Sequence, residues 1–132
     1  MESVIVITSL VKNLSKDKFL IVKRKASSKI HPGLWVFPGG KLNHGEDIFS
    51  ALKREVKEET NLDIKILKKI SEYEYYREDK TLTFGLCYES IAESENVIIS
   101  PELDDFKWIK PKEFKNYQHL KELEKEIKKA FK

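Results

Sequence analysis

The sequence is short of cysteine, of long apolar runs and of net charge, and each shortage excludes a class of protein. Cys87 is the single cysteine among 132 residues, so no internal disulfide can form, and a reducing cytoplasm suits that composition. Met1–Val11 carries no basic leader, and no apolar stretch approaches the length of a membrane span. We therefore expect an unprocessed, cytoplasmic protein without a membrane partner.

The balance of charge argues against a nucleic-acid polymer as a partner. Lys and Arg total 25 and Asp and Glu total 22, with both signs interspersed, so the net charge of +3 forms no basic stripe. A chain of 132 residues that is 40% hydrophobic suits one globular domain with a real core, spanning residues 1–132. A monomer and a homodimer are both compatible with this composition.

Short β patterns interrupted by two helical ones predict an α+β fold with a mixed sheet between helices. The first two strands should form a hairpin, the third should be broken or bulged, and a long loop, Ala26–Gly40, should precede the first helix. Strands are predicted at Val4–Val11, Phe19–Val22, Ile64–Tyr76, Thr81–Ile91 and Phe106–Ile109.

The first helix is predicted over Asp47–Thr60, with Asp47 as its N-cap and Asn61 just beyond its end. The second is an amphipathic terminal helix, with its charged residues on a solvated face and pairs such as Glu124 with Lys128. Its apolar stripe comprises Leu120, Leu123, Ile127 and Phe131.

Three glutamates of the first helix form a cluster. At about 100° per residue, Glu55, Glu58 and Glu59 fall within one arc that overlaps the apolar stripe of the helix. Carboxylates held about 6 Å apart repel by roughly 3 kcal/mol per pair at an effective dielectric constant near 20. A partly buried cluster therefore needs a cation or a raised pKa, and oxygen-only ligands favour Mg²⁺ or Mn²⁺.

The loop before this helix supplies backbone freedom and positive charge. Pro38 biases Phe37 towards an extended backbone, and Gly39 with Gly40 allows a main-chain carbonyl to turn towards a metal. Lys41 follows as a cation placed for phosphate. Arg54 adjoins the acidic cluster, and its planar fork can orient a neighbouring carboxylate.

These residues match a known motif. The run from Gly40 to Leu62 resembles the Nudix box, G-x5-E-x7-R-E-U-x-E-E-x-G-U with U a bulky aliphatic residue. Asn61 is the one departure, standing where the family has a glycine that ends the helix in a left-handed conformation, which asparagine also tolerates. The segment Gly33–Lys41 is similar to the approach to the box in MutT-like members. The resemblance implies a Nudix-like α/β/α sandwich with a loop-helix-loop catalytic motif.

The activity implied by this resemblance is metal-assisted hydrolysis of a nucleoside diphosphate linked to another group. The leading expectation is a MutT-like conversion of a nucleoside triphosphate to a monophosphate and pyrophosphate. A dinucleoside polyphosphate or a nucleoside diphosphate sugar is the alternative, although the absence of proline from Asp63–Ser100 disfavours the ADP-ribose type. A catalytically silent nucleotide-sensing module is the alternative from another class, and the intact acidic cluster argues against it.

The resemblance also assigns roles to single residues. Glu55, Glu58 and Glu59 would bind Mg²⁺, the Gly39 carbonyl would add a ligand, and Glu102 is the candidate for a further one. Glu58 is our choice of general base. Arg54 would orient the catalytic carboxylates. The remaining structural positions of the box would be Gly40, Glu46 and Asn61, and the candidates for phosphate contact are Arg24 and Lys41.

Simpler interpretations compete with several of these assignments. Glu102 fits an exposed loop acid as well as it fits a metal ligand. Trp35 and Phe37 are candidates for stacking on a base, but packing beneath a Pro-Gly loop is an alternative for both. Tyr75 is a further candidate for a base pocket, on the same strand face as Tyr73. The histidines are interpreted as ordinary surface residues; they are His31, His44 and His119.

Overall fold

A computed structural model describes residues 3–132 and confirms a mixed sheet with helices. The strands are β1 Ser3–Lys12, β2 Phe19–Arg24, β3 Trp35–Val36, β4 Gly39–Lys41, β5 Ile64–Tyr76, β6 Leu82–Ala92 and β7 Leu103–Ile109. The helices are α1 Ile48–Thr60, a 3₁₀ helix Pro111–Asn116, and α2 Leu123–Ala130. No helix among residues 3–132 is long and apolar enough to cross a membrane.

The central strand of the sheet is β1, which bonds to three different neighbours. The order is β3-β2-β1-β6-β5, with β4 also paired to β1 and β7 paired to β2. The β1–β6 pair is parallel along its whole length, and the other pairs are antiparallel. The predicted hairpin is confirmed only at its base, where Lys12 pairs with Phe19. Beyond that point the two strands diverge to different partners.

Alternation along the central strands produces the three-layer sandwich. Ile7 and Val11 of β1 pack in one core with α1, which contributes Leu52 and Val56. Leu10, the intervening residue, packs in a second core. This second core joins the opposite face of the sheet to α2, through Leu123, Ile127 and Ala130. Successive strand residues point to opposite faces, so one sheet supplies both cores.

The loop predicted before the first helix contains regular structure. The interval Ala26–Gly40 holds β3 and the start of β4, and β4 pairs with β1 through Thr8↔Gly39 and Val6↔Lys41. The glycines and prolines of this stretch are typical of a loop. Pairing of β3 with β2 and of β4 with β1 nevertheless holds its backbone in the extended conformation. A 3₁₀ helix follows β7, with Pro111 at its first position, where the missing N–H costs nothing.

In the second half of the chain, β7 begins at Leu103, three residues before the predicted strand, and two predictions for α2 are also corrected. Strand β5 is irregular as expected, with register shifts between Ile66 and Lys68 and between Lys69 and Ser71. Helix α2 starts at Leu123, later than the apolar pattern suggested. Glu124 pairs with His119 at 3.0 Å, and no ion pair joins it to Lys128 within the described chain.

Local sequence sets both ends of α1. The carboxylate of Asp47 accepts a hydrogen bond from the Ser50 amide at 2.9 Å, as an N-cap does. At the other end Asn61 adopts φ 63°, in the left-handed region, and its N–H donates to the Lys57 carbonyl at 2.9 Å. Asparagine thus takes the conformation that glycine has in the Nudix box.

Candidate active site

A cleft of about 760 Å³ lies between the elements that carry the predicted site residues. Its size suits a small-molecule ligand. One side is formed by α1 and β4, and another by α2 and β5. Of the predicted residues, those lining the cleft are Arg24, Phe37, Gly39, Gly40, Lys41, Glu55, Glu59, Tyr75 and Glu102.

The paired glycines of β4 are required by close contacts. Gly39 has φ 155°, and a Cβ placed on it would lie 2.1 Å from the Ile7 carbonyl oxygen. A Cβ on Gly40 would lie 2.3 Å from a carboxylate oxygen of Glu55. The absence of side chains therefore lets β4 approach β1 and lets the Glu55 carboxylate rest directly against the loop.

Arg54 organises the acidic residues around it. Its guanidinium donates two hydrogen bonds to the Glu46 carboxylate, Nε to Oε2 at 2.8 Å and a terminal nitrogen to Oε1 at 2.9 Å. The other terminal nitrogen lies 2.7 Å from Glu58 Oε1 and 3.0 Å from Glu55 Oε1. The hydrogen bond from Arg54 holds the pKa of Glu46 below its ordinary value. This network places Arg54 where an orienting residue belongs.

Burial raises the pKa values of two of the three clustered glutamates, as the helix phase predicted. Desolvation raises the pKa of Glu59 to about 7, and the neighbouring charges of Glu55 and Glu102 add to that rise. The Gly39 amide donates to Glu59 Oε1 at 2.9 Å and opposes it. Desolvation also raises the pKa of Glu55, against the opposing charge of Arg54.

Glu58 lies in a different environment from the other two. Its side chain is 55% exposed, compared with 17% for Glu55, and it is not among the residues that line the cleft. The prediction that all three glutamates lie beside the core is therefore wrong for Glu58. Its role as the general base stays a prediction.

The donors at the α1 side of the cleft fit a hard divalent cation. Glu55, Glu59 and Glu102 supply carboxylate oxygens. Burial raises the pKa of Glu55 and of Glu59, so a bound cation would stabilise the charged forms of these two side chains. Across residues 3–132, no three His, Cys, Asp or Glu side chains are grouped closely enough to hold a metal as they stand. The three clustered glutamates have different partners: Arg54 forms ion pairs with Glu55 and Glu58, whereas Glu59 accepts a hydrogen bond from the Gly39 amide.

The cationic candidates lie on the cleft. The Nε of Arg24 donates to the Ile30 carbonyl at 2.6 Å, which fixes the guanidinium beside the site, and its charge opposes the rise in the pKa of Glu59. Lys41 is exposed on the same side. Glu102 reaches the cleft from the segment before β7.

The aromatic candidates separate into two groups. Tyr75 is half-buried on the cleft and stacks against Tyr73, with ring centroids 5.9 Å apart at 26°. Phe37 lines the cleft but belongs to the core. Trp35 does not line the cleft and packs edge-on against Tyr117, with 5.1 Å between ring centroids. The prediction that Trp35 binds substrate is therefore corrected to a packing role.

Sequence reasoning missed several groups on this cleft. His31, predicted to be a surface residue, has a side chain only 13% exposed, and its Nε2 lies 3.2 Å from the hydroxyl of Tyr75. Burial lowers the pKa of His31 below its ordinary value. Glu126 of α2 also lines the cleft and is 3% exposed. Its position inside the apolar stripe, three residues after Leu123, was the available signal.

Comparison with known proteins decides the family, because the model of the NUDIX domain matches residues 4–131. The chain belongs to the Nudix family. Nucleoside triphosphatase NudI of Klebsiella pneumoniae subsp. pneumoniae is 32% identical over 124 residues, 85% of each chain. The NudI of another Klebsiella pneumoniae strain is 27% identical over 123 residues, again 85% of each.

A solved structure agrees with this assignment at the level of the Nudix fold. The MutT protein of Methanosarcina mazei Go1 superposes with a TM-score of 0.84 at 20% identity, covering 98% of this chain and 93% of that one. The Nudix α+β sandwich is thereby confirmed, and the protein is a hydrolase acting on pyrophosphate bonds. Nudix hydrolases generally use divalent metals, which agrees with the oxygen donors of the cleft.

Proposed function

We propose that this Nudix hydrolase is a Mg²⁺-dependent pyrophosphohydrolase that converts a nucleoside triphosphate to a monophosphate and pyrophosphate, with Mn²⁺ able to replace Mg²⁺. The observation that carries the proposal is one cleft that joins Glu55, Glu59 and Glu102 to the cations Arg24 and Lys41. The similarity to NudI triphosphatases supports the choice of substrate. Residues 1–132 would act as one cytoplasmic hydrolase domain, monomeric or homodimeric, with a nucleotide and not a nucleic-acid polymer as partner.

Metal binding would fall to the oxygen donors around α1 and β4. Glu55 and Glu59 would hold Mg²⁺, with Glu58, Glu102 and the Gly39 carbonyl as further ligands. The bound ion would neutralise phosphate charge and lower the pKa of a water molecule. Gly40 contributes by leaving space for the Glu55 carboxylate, which would otherwise be displaced.

The chain's other residues would position the substrate and accept the proton. Arg24 and Lys41 would hold phosphate oxygens, because both cations line the cleft. Arg54 donates a hydrogen bond to the Glu58 carboxylate and so holds it beside Glu55. Glu58 would take the proton of the attacking water. Tyr75 and Phe37 would supply aromatic surface to the nucleoside.

A substrate panel tests this proposal. Nucleoside triphosphates, dinucleoside polyphosphates and nucleoside diphosphate sugars are incubated with the protein and Mg²⁺, and the products are identified. We expect a triphosphate to give a monophosphate and pyrophosphate with the highest kcat/KM. A higher kcat/KM for a dinucleoside polyphosphate or a diphosphate sugar would show that this compound, and not a triphosphate, is the substrate. Bound nucleotide without turnover of any pyrophosphate compound would replace it with a sensing module.

Two substitutions test the residue assignments in the same assay. Glu59→Gln should lower kcat/KM by about 10- to 100-fold through weaker metal binding. Glu58→Gln should lower kcat by about 100-fold or more if Glu58 is the general base. The matched control is Glu93→Gln, at an exposed glutamate that does not line the cleft. Unchanged activity in Glu58→Gln would exclude Glu58 as the base.

A further inference from the structure

An apolar area in the middle of the sheet is left uncovered on the face that carries α1. Ile5 of β1 lies two residues before Ile7, so its side chain points to the same face as that core residue, yet it is 41% exposed. Phe84 of β6 is aligned with Ile5 and is 40% exposed. Both residues lie in central strands, because β6 is flanked by β1 and β5.

The parallel pairing of these two strands makes the exposure unusual. Strands β1 and β6 are parallel over their whole length, and parallel strands are normally covered on both faces. Helix α1 covers the pair where Val11 and Tyr88 join its core, but Ile5 and Phe84 belong to neither core. The fold of one chain therefore leaves one end of this pair without a cover on the α1 face.

Neighbouring side chains extend the uncovered area in both directions along β6. Tyr76 is exposed and is aligned with Leu82, two residues before Phe84. At the other end, Phe49 of α1 is exposed and packs edge-on against Tyr88, with 5.4 Å between ring centroids. Single exposed apolar residues are normal, whereas a continuous group marks a contact surface. We call this group the outer patch; its members are Ile5, Phe49, Tyr76, Leu82, Phe84 and Leu86.

The two borders of the outer patch carry opposite charges. Lys53 is exposed on α1, one turn after Phe49, and makes no ion pair in the described chain. On the other border, Glu74 of β5 is exposed, aligned with Phe84 and likewise without an ion pair among residues 3–132. A second copy turned by 180° about an axis through the patch would bring the basic border against the acidic one.

The edge of the sheet is a poor alternative surface for association. Strand β5 is the outer strand beside β6, but its register shifts after Ile66 and again after Lys69. It also carries five charged residues, which are Lys65, Lys68, Lys69, Glu72 and Glu74. Bulges and charges on an edge strand oppose pairing with another strand. Contact through the face of the sheet is therefore favoured over an extension of the sheet.

We propose that the protein forms a two-fold symmetric homodimer in which the outer patches of two copies pack against each other, with Lys53 facing the partner subunit's Glu74. The two-fold axis brings each apolar centre against its own counterpart, and it pairs the charged borders twice. Both clefts stay accessible, because Val6 and Tyr73 of the cleft wall lie on the opposite face of the sheet. The inference is independent of the substrate and of hydrolysis.

The test is analytical ultracentrifugation of the full chain at loading concentrations from about 1 to 300 µM. We expect a reversible equilibrium between monomer and dimer, with a dissociation constant of about 1–50 µM. Ile5→Lys and Phe84→Glu each place a charge in the centre of the patch, so each should raise that constant by about 100-fold or more. Circular dichroism and urea denaturation show whether each variant is folded.

The matched control is Ile98→Glu, which introduces the same charge at an apolar residue that is 68% exposed and outside the patch. It should keep the dissociation constant of the wild type. A wild type that stays monomeric at every concentration would overturn the inference, whichever other molecule covers the patch. A dimer that Phe84→Glu leaves intact, or that Ile98→Glu disrupts equally, would also overturn it.

Charge reversal at the borders tests the two-fold arrangement with exposed residues whose substitution leaves the fold intact. Lys53→Glu and Glu74→Lys should each raise the dissociation constant by about 3- to 10-fold, since each places like charges opposite one another. The double variant restores opposite charges and should return to within about 3-fold of the wild type. Additive losses in the double variant would contradict the pairing of Lys53 with the partner subunit's Glu74.

Discussion

At position 40 a carboxylate occupies the space of the missing side chain. Glu55 lies so close to Gly40 that a Cβ there would fall 2.3 Å from its oxygen. Glu55 is also held by Arg54 at 3.0 Å, so the residue is fixed from two directions. The glycine is thus a steric requirement of the proposed metal site and has no need of a positive φ.

Gly40→Ala should lower activity more than stability. The added methyl group would displace the Glu55 carboxylate, so we expect kcat/KM to fall by about 10- to 100-fold. The matched control is Gly45→Ala, where φ is +84° but no atom lies within 4 Å of the new Cβ. That control should lose about 1 kcal/mol of unfolding free energy and keep its activity. Equal activity of Gly40→Ala and the wild type would contradict the placement of Glu55.

The three glutamates of the cluster also differ at this scale. Glu59 is bonded to the Gly39 amide, and its pKa rises to about 7 through burial, whereas Glu58 is exposed and bonded to Arg54. Helix phase placed all three within one arc, but it could not show how deeply each is covered. The depth is set by β4 and by the segment that carries Glu102.

At the scale of the element, α1 depends on its two ends. Its capping groups are supplied by residues adjacent in sequence, so the helix was predictable to within one residue. The C-terminal end carries Asn61 in the left-handed region, at φ 63°. Glycine adopts this conformation without steric cost, and asparagine does so at a small cost.

Asn61→Gly should therefore retain or raise stability. We expect the unfolding free energy to increase by at most about 1 kcal/mol, because the gain in the folded state is partly offset by greater freedom of the unfolded chain. Asn61→Ala should lower it by about 1 kcal/mol. Urea denaturation measures both variants. A lower stability for Asn61→Gly than for Asn61→Ala would contradict the left-handed helix end.

Helix α2 borders two cavities of the protein, although its charged sequence predicted only a solvated face. Leu123 and Glu126 line the cleft, whereas Ile127 faces a second cavity of about 470 Å³ beside the 3₁₀ helix. His119, which was predicted to be a surface residue, stacks on Phe114 with 3.9 Å between ring centroids. The segment before the helix is therefore anchored by a contact between two of its own aromatic rings.

At the scale of the whole molecule, Lys12 ties three elements together. Its ammonium lies 3.3 Å from Glu89 of β6 and donates to the Ala130 carbonyl at the end of α2. It also lies 4.4 Å from the centre of the Phe131 ring. Both charged side chains of the pair are only 9% exposed, so each depends on the other.

Removing one member of this pair should destabilise the protein strongly. We expect Lys12→Met to lower the unfolding free energy by about 3–5 kcal/mol, because it leaves Glu89 buried without a cation. The double variant Lys12→Met with Glu89→Met should recover much of that loss, since no buried charge remains. Denaturation of the single and double variants forms the cycle. Additive losses would show that the pair is not coupled.

The order of strands could not be predicted from the sequence. The apolar runs located β1, β2 and β5–β7, but nothing local shows that β1 lies parallel to β6 or that Thr8 is aligned with Cys87. Strands β3 and β4 were missed for the same reason, because Gly39 and Gly40 are extended by pairing with β1 and not by their own preference. Non-local contacts decide both features.

The sequence by itself determined the Nudix box, the caps of α1, the reaction class and most metal-ligand candidates. These follow from spacing along one helix and from residue chemistry, which are local properties. Only the tertiary structure decided which glutamates are buried, that Trp35 packs away from the cleft, and that Glu126 of α2 is buried at the cleft. Burial and convergence depend on which elements pack together, so the run from Gly40 to Leu62 specifies the chemistry while the surrounding fold forms the pocket for the substrate.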